Sequence, residues 1–198
     1  MFEPVVSPDN LGPAAFLAAM VEGLAKLPSQ LWQVGNEGFA GLAEAMDAAA
    51  VQLECARVGL VQDAQTRGVV DQSPSPSAAD WLMEHSFHLE PADATRTVKL
   101  AKACQAPANQ VLAAAVASGT VTVRKAMTAL GQLKAVEHDL APGKREEALA
   151  SLTQMAQSGY DRYVIAIGRA LMGLLGADRG LQDNEKALRA LALPRSWS

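Results

Sequence analysis

Residues 79–103 read ADWLMEHSFHLEPADATRTVKLAKA, and an alanine-rich run carries them into SGTVTVRKAMTAL, which ends at Leu130. It spells a succession of short helices with a stop between each pair, which points to a helical fold. A tryptophan-bearing helix comes first. Leu89-Glu90-Pro91 then starts a basic helix, since proline is tolerated in a first turn, where its missing N–H would have no partner in any case. An apolar helix follows and is closed by Gly119, and a further helix starts at about Thr122, a residue type suited to capping helix starts.

The same punctuation predicts helices at 14–27, 36–67, 78–87, 91–104, 107–118, 122–137, 142–158, 160–175 and 184–191. The composition agrees: 38 residues are alanine and only nine are aromatic. Alanine is the best helix former and a poor filler, so closely packed helices are favoured over a sheet. The expected fold is all-α, a multi-helix bundle with one long heptad-patterned helix as its spine. The 198 residues are long enough to bury a sizeable core. They divide most naturally into an N-terminal helix and loop (1–35), a helical domain (36–181) and a short helix with a tail (182–198).

The long helix runs from Asn36 as N-cap to Arg67, before Gly68. Within it Phe39, Leu42, Met46, Ala49, Leu53, Ala56 and Leu60 recur at spacings of three and four. This is a heptad seam. Two uses stay open: packing against neighbouring helices of the same chain, or self-association with a second copy through Phe39, Leu42, Met46, Leu53 and Leu60. Beyond it, Ser73-Pro74-Ser75-Pro76 cannot continue a helix.

In order, Ala79-Asp80-Trp81-Leu82, the Leu89-to-Ala101 segment and the Gly119-to-Ala126 segment resemble the motifs of the actinobacterial 13E12-repeat family, also called domain of unknown function 222. In that family an AaWL helix precedes an LsP-eA-rr-vrlA helix and then a G-xls-xxxA helix. The resemblance extends over residues 53–175. Longer relatives often carry a C-terminal HNH endonuclease module, whose histidines and asparagine cut nucleic acid with a metal ion. Nothing of that module is present here. The resemblance therefore implies the helical front half of such a protein, a DNA-associated accessory domain without the nuclease.

Charge adds an independent reason. The chain carries −4 overall. Residues 92–134 nevertheless hold six cations (Arg96, Lys99, Lys102, Arg124, Lys125 and Lys134) against Asp93 alone, so this segment is +5 and the remainder −9. At 100° per residue, Arg96, Lys99 and Lys102 span an arc of about 120°, with Val98, Leu100, Ala101 and Cys104 opposite. Three cations on one face could follow a phosphate backbone, or could simply solvate the outside of a bundle. A standard helix-turn-helix about Gly119 is disfavoured, because its inward positions would fall on Ser118, Thr120, Lys125 and Thr128, which are costly to bury.

Other chemistry is thinly represented. His85 and His88 lie near Asp80 and Glu84, but two histidines do not make a zinc site, which wants three or four ligands in definite geometry. Cys55 and Cys104 are isolated thiols that fit a reducing interior. Asp161 suits the positive end of a helix, and Trp81 a core anchor. The apolar stripe Val164, Ile167, Leu171 and Leu174 suits a bundle centre. No catalytic constellation, cofactor motif or small-molecule site can be marked. Glu3 and Asp9 stand where a secretory leader would carry basic residues, and the apolar run at 14–21 is short for a membrane span. The expected setting is cytoplasmic, without membrane contact, and the expected partners are a DNA backbone or a second copy of the chain.

Overall fold

A computed structural model describes residues 12–158, 164–166 and 170. Among them every regular element is helical: α1 (Pro13–Gln30), α2 (Gly38–Thr66), α3 (Ala78–Glu84), α4 (Pro91–Cys104), α5 (Gln110–Ala117), α6 (Val123–Val136) and α7 (Arg145–Ser158), with 3-10 turns at Leu31–Gln33, Pro107–Asn109 and Glu137–Asp139. The all-α bundle anticipated from composition is therefore the fold. The chain divides into two compact units, Met1–Asp47 and Ala48–Ser198.

The first unit carries α1, which has Pro13 in its first turn and no buried residue. The sequence predicts that this helix ends before Pro28, yet it runs on to Gln30 with Pro28 inside it. A proline near a C-terminal end removes a single ladder bond, and the helix lasts less than one further turn.

In the second unit the core collects Val58 and Val61 from α2, Leu82 from α3, Leu100 from α4, Leu112 from α5, Leu133 from α6 and Leu149 and Leu152 from α7. Ala94, Ala101, Ala115, Ala126, Ala129, Ala148 and Ala156 are buried among them. Small side chains at helix contacts let axes approach toward the short end of the usual 8–10 Å spacing. The alanine excess is thus used in packing as well as in helix propensity. Helix α6 lies against α4, α5 and α7, and α3 lies against α4.

Local signals explain the starts and stops. Ser77 caps α3, its Oγ accepting from the Asp80 N–H at 3.2 Å and donating to Asp80 Oδ2 at 2.6 Å. Helix α3 stops at Glu84, three residues sooner than expected. His85 turns back there, its Nδ1 lying 2.8 Å from the Trp81 carbonyl. Thr122 caps α6 by accepting from the Lys125 N–H at 3.2 Å. Trp81, half-buried, packs against the core as expected. The expected helices at 160–175 and 184–191 lie largely outside the described residues, of which Val164 is fully buried.

The seam of α2 is not where the helix is buried. Phe39, Met46, Leu53 and Leu60 are 47%, 51%, 41% and 57% exposed. The buried face is a different one, carrying Cys55, Val58, Val61 and Ala64. That inner face is tied to the bundle by the Gln52 side chain donating to Ser118 O at 3.0 Å and by Gln62 donating to Ala101 O at 3.2 Å. The heptad seam is therefore not the face that α2 buries, and the expected heptad spine is not seen among the described residues.

Both cysteines are free thiols. Burial pushes both above the ordinary value of 9.0, Cys104 to about 11, with Cys55 near enough to add an electrostatic push. At pH 8 the Cys104 thiolate fraction is roughly 100-fold below that of an ordinary thiol. Native protein is expected to resist iodoacetamide at that pH while urea-unfolded protein reacts at the usual rate; equal rates would contradict the buried placement. Because the folded protein holds these protons more tightly, their contribution to stability is complete below pH 9 and is lost as pH rises toward 11.

Candidate nucleic-acid interface

Helix α4 is amphipathic in the sense expected. Ala94, Thr97, Leu100 and Ala101 are buried, whereas Lys99 and Lys102 are exposed. Asp93 stands in the first turn, where the positive helix end favours it, and pairs with Arg96 one turn on. Arg96 is therefore the most restrained of the three α4 cations.

The two basic segments, separated by an apolar helix in sequence, meet in space. A cleft of about 200 Å³ is lined by Glu54 and Arg57 of α2, Leu89, Asp93, Arg96 and Thr97 of α4 and its approach, and Val123 and Arg124 of α6. Arginines from three helices, Arg57, Arg96 and Arg124, line it together, beside the N-terminal end of α6, where the helix dipole favours negative charge. Arg124 and Arg96 belong to the expected set. Arg57 does not: in sequence it is only a flank of the heptad seam.

Farther along α4, Lys102 shares a shallow groove with Gln65, Thr66 and Gln105. Arg57 lies beside Arg96, Gln62 bonds Ala101, and Thr66 lies beside Lys102, so α2 and α4 run side by side in the same direction. Lys99 is exposed between Arg96 and Lys102, and half-buried Lys125 follows Arg124 in the first turn of α6. Lys134 is exposed in the last turn of α6, a length of helix away from the cleft.

No family model, curated protein or solved structure matches this chain. The turn between α5 and α6 places Gly119 at φ 69°, in the left-handed region that glycine tolerates best. The residues that pack inward after it are Val121, Val123, Ala126 and Ala129, while Ser118 and Thr120 stay exposed. The phasing of a standard helix-turn-helix is absent here, as the polar positions anticipated. Among the described residues no group of three or more His, Cys, Asp or Glu is placed to hold a metal ion, and no helix is long and apolar enough to cross a membrane.

Proposed function

We propose that this protein is a DNA-associated helical module that contacts the phosphate backbone through Arg96, Lys99 and Lys102 of α4 and Arg124 and Lys125 of α6. The observation that carries the reading is the convergence of Arg96 and Arg124, 28 positions apart, on one cleft beside an exposed lysine ridge. In a chain of net charge −4, cations gathered on one face are the device by which an acidic protein can still approach a polyanion. The resemblance to the 13E12-repeat family supports the same reading, with the helical part acting as an accessory without nuclease chemistry of its own.

Fluorescence anisotropy with a labelled random duplex tests it. Binding is expected at 50 mM salt and to weaken steeply by 200 mM, and the triple change Arg96→Ala, Lys99→Ala, Lys102→Ala is expected to reduce low-salt affinity by 10-fold or more, at about 1 kcal/mol or less per exposed cation. Undiminished binding by the triple variant would overturn this assignment of the face.

A second reading has its own observation. The seam residues Phe39, Met46, Leu53 and Leu60 are exposed large apolar side chains at heptad spacing, as a self-association helix requires. Sedimentation velocity separates the two: the first reading needs no dimer, whereas the second predicts dimers that Leu53→Lys or Leu60→Lys dissociates.

A further inference from the structure

The turn that leads into α4 displays an aromatic ring that the bundle does not use. Phe87 is 90% exposed, the most exposed large apolar side chain among the described residues. It does not sit on a loose loop. The Ser86 N–H donates to the Met83 carbonyl at 3.2 Å and the Leu89 N–H to the Ser86 carbonyl at 2.9 Å, so Phe87 and His88 occupy the two central positions of a closed four-residue turn. The turn is held at both ends. Before it, His85 Nδ1 lies 2.8 Å from the Trp81 carbonyl, and after it Leu89 is half-buried against the core. Phe87 and His88 are both exposed at its tip.

Leu89 ties this tip to the basic face, because it lines the cleft together with Arg57, Asp93 and Arg96. Phe87 is two positions from Leu89, which keeps its Cα within about 7.6 Å of the Leu89 Cα in the cleft wall. A ring beside cations has a definite chemistry. Cations attract phosphates whether the strand is paired or not, but a ring standing in water gains by covering another flat apolar surface. In a duplex the base faces cover one another; in a single strand they are open to an aromatic side chain. Glu90, exposed between the tip and α4, opposes a polyanion, so the ring supplies an attraction that charge does not supply at this end of the helix.

We infer that Phe87 is a base-stacking platform and that the nucleic acid preferred by this face is single-stranded. The ring has a base to cover only where a strand follows the α4 cations, so this role rests on the backbone-binding reading. The cations hold the strand by its phosphates, and the ring distinguishes an unpaired strand from a paired one.

The test compares, by fluorescence anisotropy of the full chain at low salt, a labelled unstructured oligonucleotide with the same oligonucleotide annealed to its complement. The single strand is expected to bind more tightly. Phe87→Ala should weaken single-strand binding by between about 5-fold and 100-fold, the range for loss of one base–aromatic stack, and leave duplex affinity within about twofold. Phe87→Tyr keeps the flat ring and should retain the preference, whereas Phe87→Leu keeps apolar bulk without the ring and should lose it. Because Phe87 is almost wholly exposed, all three variants should keep the wild-type thermal midpoint, which separates lost recognition from lost folding. Single-strand binding that Phe87→Ala leaves intact, or a loss of equal size for both forms, overturns the platform and leaves the backbone reading standing. Wild-type dimers that Phe87→Ala dissociates would assign the ring to a second copy and overturn the platform as well. Salt-sensitive binding to neither form by the wild type overturns the backbone reading and the platform with it.

Discussion

Leu100→Ala is expected to destabilise the protein by about 3–4 kcal/mol, as removal of a fully enclosed leucine side chain leaves a cavity that the neighbours only partly close. Leu100 is completely buried on the inner face of α4. For a chain of this size the loss corresponds to a fall in thermal midpoint of roughly 10 °C. Its sequence neighbour Lys99 is exposed, and Lys99→Ala is expected to cost no more than about 0.5 kcal/mol. The contrast between adjacent positions reports which way α4 faces. Thermal or urea unfolding of the two variants measures it directly; similar losses, or the reverse order, would mean that α4 turns a different face to the bundle. The outward placement of Lys99 and Lys102 depends on the same packing, because burying Leu100 is what turns them to solvent.

Gly119→Ala is the second large effect, expected to cost about 2 kcal/mol. The residue has φ 69°, where an L side chain is strained by about 1 kcal/mol. In addition, an added Cβ would stand 2.1 Å from the Gln52 amide nitrogen and 2.5 Å from its Cδ. Gln52 would have to withdraw, abandoning its 3.0 Å bond to the Ser118 carbonyl and loosening α2 from the α5–α6 turn, at a further cost of about 1 kcal/mol. Gly143, at φ 80° with nothing within 4 Å of an added Cβ, supplies the control, because Gly143→Ala meets the backbone strain alone. Placing Gly119→Ala in a Gln52→Ala background should recover the clash component and give a non-additive cycle. An additive cycle would mean that Gln52 does not sit over the turn.

Much of the second unit is legible in the sequence because its helix boundaries are set locally. Pro91 in a first turn, Ser77 and Thr122 as caps and Gly119 in the left-handed region each act within a few residues. The outer face of α4 is legible for a similar reason, as its cations and apolar residues separate on a single wheel. Helix α2 is harder to read. Its heptad spacing correctly marks a long helix, but the helix carries a second apolar face through Cys55, Val58 and Val61, and periodicity cannot say which face the bundle takes. The exposed seam shows that regular spacing and burial are separate properties.

The cleft could not be read at all from one helix at a time. Arg57 and Arg96 are 39 positions apart and share a cleft only through the fold that brings α2 to α4, where Gln62 bonds the Ala101 carbonyl. The local signal that could have singled out Arg57 is its position as a charged residue between Cys55 and Val58, at the edge of the face that α2 buries.

The decisive measurement is the dependence of duplex affinity on salt for the wild type and for Arg96→Ala, Lys99→Ala and Lys102→Ala singly. Backbone contact by this face predicts a linear fall of log K with log salt, and each substitution should flatten the slope by about 0.9, one released counterion per phosphate contact. A duplex affinity indifferent to salt, or a steep slope that none of these substitutions changes, would contradict the account.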